Sequence, residues 1–389
     1  MLRKEGTVWL DTARRDVDSE SDTGLLFAEP QKVLPACTAS EVVPLLESLE
    51  KETARGNWVA GFLAYEAGYV LEPSVFAPPA DGLLGWFGVY SEPVGVSPED
   101  ADALLSDGKT SRITNAHFSI DCEEYAERIG RIRARIAEGD VYQINFTAPF
   151  RFQLEGDAAG LYTAVRERQR VPYGAFLNLG GEQVLSFSPE LFFRVDDRRI
   201  TTRPMKGTTH RSSTPAEDDY LAEALLNDEK NRAENLMIVD LLRNDLSRVS
   251  EAGSVRVPEL FTIERYETVT QMTSTVQGTL KPEVGLSDVL RALFPCGSVT
   301  GAPKIRAMQR IRELEKGPRG VYCGAIGYAG PGGKVAFSVP IRTAVLREGE
   351  EGLIEGELGV GSGVVWDSEV GTEYEECLLK ARFLTDLSG

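Results

Sequence analysis

Two helical stretches carry carboxylates at spacings that collect them on one face. In Thr372-Glu373-Tyr374-Glu375-Glu376-Cys377-Leu378-Leu379-Lys380-Ala381, the residues Tyr374, Cys377, Leu378 and Ala381 form an apolar stripe at i, i+3, i+4, i+7. Glu373, Glu376 and Lys380 form a polar stripe beside it, which reads either as a solvated face with one Glu-to-Lys i,i+4 pair or as an acidic face for a cation. The second stretch, Lys230 to Asp245, is largely apolar from 236 to 242 yet holds Glu234, Asp240 and Asp245. Charges in so apolar a helix are paired core groups or metal ligands, and Arg243 with Asp240 also reads as a buried ion pair.

Three glycine-rich loops add backbone donors. Gly297-Ser298-Val299-Thr300-Gly301-Ala302-Pro303-Lys304 leads into a helix, so its hydroxyls and N–H groups suit an anion. Gly359-Val360-Gly361-Ser362-Gly363 follows a strand, and Gly320-Val321-Tyr322-Cys323-Gly324 is the third. None has a P-loop tail or the dinucleotide spacing, and turns or bulges explain such glycines equally well. Pro204-Met205-Lys206-Gly207-Thr208 places a lysine in a loop, either as surface or as an amine with chemistry.

Composition narrows the chemistry. With two histidines, His117 and His210, a histidine-based zinc or iron centre is disfavoured, which points to carboxylate-held magnesium or manganese. A formal charge of -18 disfavours nucleic acid as a partner without forbidding a cationic pocket for a small anion. The five cysteines form no C-x-x-C pair, which fits a reducing compartment. No run of about 18 apolar residues suggests a membrane span, and Met1-Leu2-Arg3-Lys4-Glu5-Gly6 does not open a signal peptide, so a cytoplasmic location is expected.

The elements that must hold these groups alternate along the chain. Residues 91–118, with Pro93, Pro98, an acidic cluster and Ser106-Asp107-Gly108, are the best candidate boundary. A mixed-charge helix is expected from Cys122 to Glu138. Strands are expected at 142–152, 174–179, 184–195, 253–257, 323–329, 334–347 and 353–360, and helices at 157–170, 215–245, 286–293, 303–315 and 369–385. Thr214-Pro215-Ala216-Glu217 reads as a capping box with proline at the first helical position. The pattern predicts an α+β protein with largely antiparallel sheets.

Six blocks over residues 118–385 resemble the chorismate-utilising enzymes, in that family's order. They are Ser186-Phe187-Ser188-Pro189-Glu190, Pro204 to Thr208, Glu234-Asn235-Leu236-Met237-Ile238-Val239-Asp240, Ser298 to Lys304, Ile341-Arg342-Thr343, and Gly361-Ser362-Gly363 with the Glu376 helix. Trp58-Val59-Ala60-Gly61-Phe62-Leu63-Ala64-Tyr65-Glu66-Ala67-Gly68 is similar to the members that form aminodeoxychorismate. The resemblance implies two antiparallel sheets flanked by helices, with residues 1–115 completing the fold and 116–389 binding chorismate. It also implies Mg²⁺ on Glu234 and Glu376 with Glu373 nearby, and Arg342 clamping the enolpyruvyl carboxylate. Tyr322, Thr300, Gly361, Gly363, Gln143 and Lys380 would line the substrate.

Two positions sort that family by reaction. Members that add water resemble one another in a lysine base where this chain has Gln143, and ammonia needs no such base. Lys206 stands where anthranilate-forming members usually carry alanine, so the resemblance implies a lysine nucleophile with Glu190 as general acid, forming 4-amino-4-deoxychorismate for 4-aminobenzoate and folate. Anthranilate formation and a non-catalytic chorismate-binding subunit are the alternatives. No cysteine sits in an obvious nucleophile elbow and nothing follows residue 389, so a separate glutaminase subunit is expected and a fused lyase is not. Two departures stand out. Gln271-Met272-Thr273-Ser274 replaces the family's frequent His-Leu-Val-Ser. Leu45-Leu46-Glu47-Ser48 matches the tryptophan-feedback motif of anthranilate synthases, but sits in a helix-like run and reads as coincidence, so no feedback inhibition is expected.

Overall fold

The computed structural model describes residues 2–13, 23–105, 110–266, 269–349 and 352–387, so the turn formers Ser106-Asp107-Gly108 lie outside the described residues. Two large antiparallel sheets dominate. The first runs, edge to edge, Gly301–Ala302, Gln143–Glu155, Ile354–Val364, Thr343–Glu348, Glu182–Ser188, Tyr173–Asn178, Val8–Asp11, Gly24–Phe27 and Val94–Val96, with Arg112–Phe118 paired to Gln143–Glu155. The second runs Met205–His210, Val269–Thr279, Arg199–Arg203, Leu191–Asp196, Val335–Ser338, Ala325–Ala329, Trp58–Leu63, Gly85–Tyr90 and Lys32–Ala36, with Arg256–Arg265 paired to Val269–Thr279. Val8, Phe27, Leu177 and Val184 of the first sheet share a buried cluster with Phe62, Trp86 and Ile326 of the second, so the inner faces make one apolar layer. Helices Cys122–Ala137, Ala158–Arg168 and Val370–Thr385 flank the first sheet, and Ala39–Ala54, Glu229–Val249 and Leu286–Leu293 belong with the second.

Several local expectations change. The stretch expected as a boundary holds the strand Val94–Val96, the helix Pro98–Leu105 and the strand Arg112–Phe118. The helix expected over 215–245 is two, Pro215–Asn227 and Glu229–Val249. Asp228 divides them because its carboxylate accepts from the N–H of Asn231 and so caps the second. Pro215 does occupy the first turn, but Thr214 makes no side-chain cap, and Glu217 is held by the Ser212 hydroxyl at 2.7 Å instead. Asp240 and Arg243 do pair, at 2.9 Å, but on the exposed face rather than in the core. Leu45 and Leu46 are buried in the core and the Ser48 hydroxyl donates to Pro44 O within the same helix, as packing residues do.

The chain crosses between the sheets at two prolines. Expected strands 184–195 and 334–347 are each split, at Pro189-Glu190 and at Val339–Arg342, where one half joins the first sheet and the other half the second. The crossings are tied to each other: Ser188 Oγ donates to Val339 O at 2.5 Å, and Val339 N donates to Glu190 O at 3.1 Å.

A buried ionic lattice fixes the same end of the molecule. Arg319 is paired with Glu315 at 2.7 Å, both nearly inaccessible, and donates to Val299 O at 2.7 Å and Asn145 O at 2.6 Å. Glu315 accepts from Thr147 N and Oγ1, and Glu66 accepts from the N–H groups of Arg319 and Gly320. The Tyr65 ring lies under the guanidinium, 4.5 Å away. Removing one member of such a pair strands its partner's charge. Arg319→Met is therefore expected to lower unfolding free energy by about 3–5 kcal/mol, read by urea denaturation. A loss below about 1 kcal/mol, the value of an exposed pair, would show that the lattice contributes little.

Candidate active site

The groups singled out in the sequence converge where the sheets exchange strands. Gln143 opens the strand Gln143–Glu155, and the neighbouring strand Ile354–Val364 brings Gly363 opposite Asn145 and Gly361 opposite Thr147. Gly359 to Gly363 therefore continue a strand rather than form a free loop. Beyond Leu358 that strand has a partner on one side only. Its other side meets the helix Val370–Thr385, where Lys380 Nζ donates to Gly361 O at 2.7 Å. The glycines are required by close approach: a Cβ on Gly363 would stand 2.6 Å from Gln143 Nε2 and 3.3 Å from Lys206 Nζ. A Cβ on Gly359 would stand 2.1 Å from the Tyr322 ring.

Lys206 lies in the edge strand Met205–His210, not in a loop. The strand is irregular between Met205 and Thr208, and Gly207, at φ 92, supplies the backbone conformation that an irregular edge needs. Among the described residues Lys206 Nζ makes neither a hydrogen bond nor an ion pair. Its charge nevertheless acts on both Glu190 and Glu234, holding their carboxyls down against burial. Arg203, a candidate for adding positive charge there, is ion-paired with Glu264 at 2.9 Å.

Glu190 sits at the first crossing, 3% exposed, and one of its carboxylate oxygens, Oε1, has no hydrogen-bond partner among the described residues. Burial pushes its carboxyl up to about 7; a hydrogen bond from Ser298 and the charge of Lys206 pull the other way. Gln143 is also buried, and neither end of its amide has a hydrogen-bond partner among the described residues. Buried polar atoms without partners are uncommon in folded proteins, and three around one amine mark a place built for a polar ligand.

Glu234 is raised by burial, lowered by Lys206 and Lys230, and raised again by Glu373 and Glu376 across the cleft. Three carboxylates on facing helices thus repel one another, and their oxygens are the donors a hard divalent cation takes. Glu373 is also held by Ser368 Oγ at 2.6 Å and Glu376 by Lys380 at 2.6 Å. Among the described residues no three His, Cys, Asp or Glu side chains are gathered closely enough to hold a metal by themselves. The set fits magnesium, which accepts few protein carboxylates and completes its shell with water and substrate oxygens.

The remaining residues separate. Arg342 occupies the second crossing in the left-handed region, φ 51, and its Nη1 donates to Gln169 Oε1 at 3.1 Å. Tyr322 is buried with its ring against Gly359. The hydroxyl of Thr300 is fully buried and turned back on its own loop, towards Gly297 O and Cys296 O, so the structure does not present it to the cleft. Lys304, in the loop read as an anion site, is buried against Asp245 at 2.6 Å. The loop hydroxyl that reaches the site is that of Ser298, beside Glu190, while Gln169 has no signal in the sequence, a glutamine ending a helix being unremarkable.

Comparison with known proteins gives this arrangement a family. Residues 18–386 match the family model described as chorismate binding enzyme. The chain is 42% identical over 282 residues to aminodeoxychorismate synthase component 1 of Escherichia coli, covering 72% of this chain and 59% of that one. It is 44% identical over 257 residues to anthranilate synthase component 1 of Methanothermobacter thermautotrophicus, covering 66% of this chain and 54% of that one. The chain thus spans little more than half the length of these relatives. Among solved structures, anthranilate synthase component I of Streptococcus pneumoniae superposes with TM-score 0.78 at 26% identity, covering 95% of this chain and 93% of that one. The menaquinone-specific isochorismate synthase of Escherichia coli, at 19% identity and TM-score 0.75, shares the fold. With nearly the whole chain matched and the cleft assembled from the motif residues, this protein belongs to the chorismate binding enzyme family.

Proposed function

We propose that the chain is the chorismate-aminating component of an aminodeoxychorismate synthase. The observation that carries this reading is the Lys206 amine, without a hydrogen-bond or ion-pair partner among the described residues, standing with Gln143 beside Gly363 and acting electrostatically on Glu190 and Glu234. In this reading the Lys206 amine bonds to ring C2 as the C4 hydroxyl departs, taking the Glu190 proton and leaving as water. Ammonia then bonds at C4 and the lysine leaves C2. Glu234 and Glu376, with Glu373 beside them, would hold Mg²⁺, which when bound neutralises the ring carboxylate. Gln143 cannot act as a base for water, which favours the aminating over the hydrating reaction. Arg342 would take the second carboxylate by a bidentate contact. Anthranilate formation is the second reading, supported by relatives of that name at similar identity.

The test is product identity. With chorismate, Mg²⁺ and an ammonium salt, the protein should release 4-amino-4-deoxychorismate, identified by mass and chromatography. Chelation should stop turnover. Glutamine should replace ammonium only after a glutaminase subunit is added. Anthranilate as the main product refutes the first reading in favour of the second, and glutamine-dependent turnover by this chain alone refutes the need for a partner.

A further inference from the structure

Arg342 carries a partly buried positive charge that no carboxylate among the described residues neutralises. Among the described residues its guanidinium has no carboxylate within ion-pair distance, and its side-chain partner is the neutral Oε1 of Gln169, 3.1 Å from Nη1. Tyr266 is near enough to act on it electrostatically, but that phenol donates to Glu264, and Glu264 is already paired with Arg203. Burial correspondingly holds the Arg342 pKa below its ordinary range. Other arginines drawn into the interior are treated differently: Arg319 has Glu315 and Arg166 has Asp11.

The geometry around Arg342 is also imposed rather than relaxed. Its φ of 51 lies in the left-handed region that non-glycine residues avoid, and its carbonyl is pinned by Phe187 N at 3.1 Å. Gln169 ends the helix Ala158–Arg168: its N–H closes the last turn on Val165 O at 2.8 Å, and its own backbone then leaves the helix. The amide is therefore mounted on a fixed helix end. It meets a guanidinium mounted on a fixed crossing, 173 residues further along the chain.

We propose that Gln169 is a positioning residue for Arg342, aiming the guanidinium by one neutral hydrogen bond while leaving its charge unpaired for a substrate carboxylate. A carboxylate at 169 would aim it as well but would neutralise it, and alanine would leave it charged but unaimed. The inference deepens the reading of Arg342 as the carboxylate clamp and rests on it.

The opposed effects of charge and packing supply the test. Chorismate Kd is measured by calorimetry in Mg²⁺ without ammonia, and KM and kcat in the complete assay, for wild type, Gln169→Ala and Gln169→Glu. Gln169→Ala should raise Kd and KM by about fivefold with kcat nearly unchanged, the loss of one aiming hydrogen bond. Gln169→Glu, the nearly isosteric change, should raise them by about fiftyfold or more, because the substrate must displace an intramolecular ion pair. A role in packing alone predicts the reverse order. If wild type binds and Gln169→Glu binds within threefold of it, or if alanine is the worse substitution, Gln169 does not act through charge and the inference is overturned. If wild-type protein binds no chorismate, the clamp reading fails and takes this inference with it.

Discussion

Lys206→Ala should lower 4-amino-4-deoxychorismate formation by about a thousandfold or more, because the covalent route disappears with the amine. The loss should be confined to chemistry. Among the described residues the amine makes no hydrogen bond or ion pair, so removing it breaks no direct contact, and the variant should stay folded with a melting temperature close to that of wild type. Glu234, Glu376 and Arg342 remain, so chorismate and Mg²⁺ should still bind. Intact-protein mass gives the direct readout: a quenched turnover mixture of wild type should contain a chorismate-derived adduct, and the alanine variant should contain none. Once the lysine is gone, ammonia has C2 open to it, and a trace of anthranilate is the expected by-product. Near-wild-type synthesis by Lys206→Ala would exclude the amine as nucleophile and remove the main support for aminodeoxychorismate over anthranilate.

The sequence made Lys206 visible as a residue but not its setting. A lysine flanked by proline and glycine looks like a loop, and the edge-strand irregularity that aims it depends on pairing with Val269–Thr279. That partner strand was itself missed. It is Thr- and Ser-rich rather than alternating, and several of its polar side chains are satisfied inside: Ser274 by Asn235 and Thr273 by Glu264. Helices with a clear 3.6 period were legible almost to the residue, as in Leu286–Leu293 and Val370–Thr385. The two crossings looked like uninterrupted strands because both halves are apolar; only Pro189 and Pro340 hint at the break. The lattice of Glu66, Glu315 and Arg319 was illegible for a different reason. Glu66 and Arg319 are 253 residues apart, and no local pattern records a pairing over that distance. The motif around Tyr65-Glu66-Ala67-Gly68 was noticed by resemblance, and its physical content is this lattice together with the contact of Gly68 on Pro295.

Glu190→Gln should lower activity by a route that pH can isolate. General acid catalysis is worth about 10²–10⁴-fold, so kcat should fall by that order while chorismate KM stays within a few-fold, the amide being nearly the same shape. In wild type the buried carboxyl sits near 7 rather than 4.5. Lys206, Cys296 and Cys323 are the titratable groups around it, and of these Lys206 is the one that opposes the shift. Below 7 the proton is present and can be given to the departing hydroxyl. As pH rises through 7 it is lost. Free ammonia rises with pH at fixed total ammonium, and an amine nucleophile is unmasked in the same direction, so the limb is read as the ratio of wild-type to Glu190→Gln kcat/KM, in which both cancel and which should fall about tenfold per pH unit. The same shift has a sign in stability. A folded-state pKa above the unfolded one gives a contribution fully present below pH 4.5 and lost as pH rises through 7, where a buried carboxylate must carry charge. Glu190→Gln avoids that charge. Its melting temperature should therefore match wild type at pH 5 and exceed it at pH 9. A ratio of wild-type to variant kcat/KM that stays flat to pH 9, or a variant no more stable than wild type at pH 9, would show that Glu190 is not the buried acid of this site.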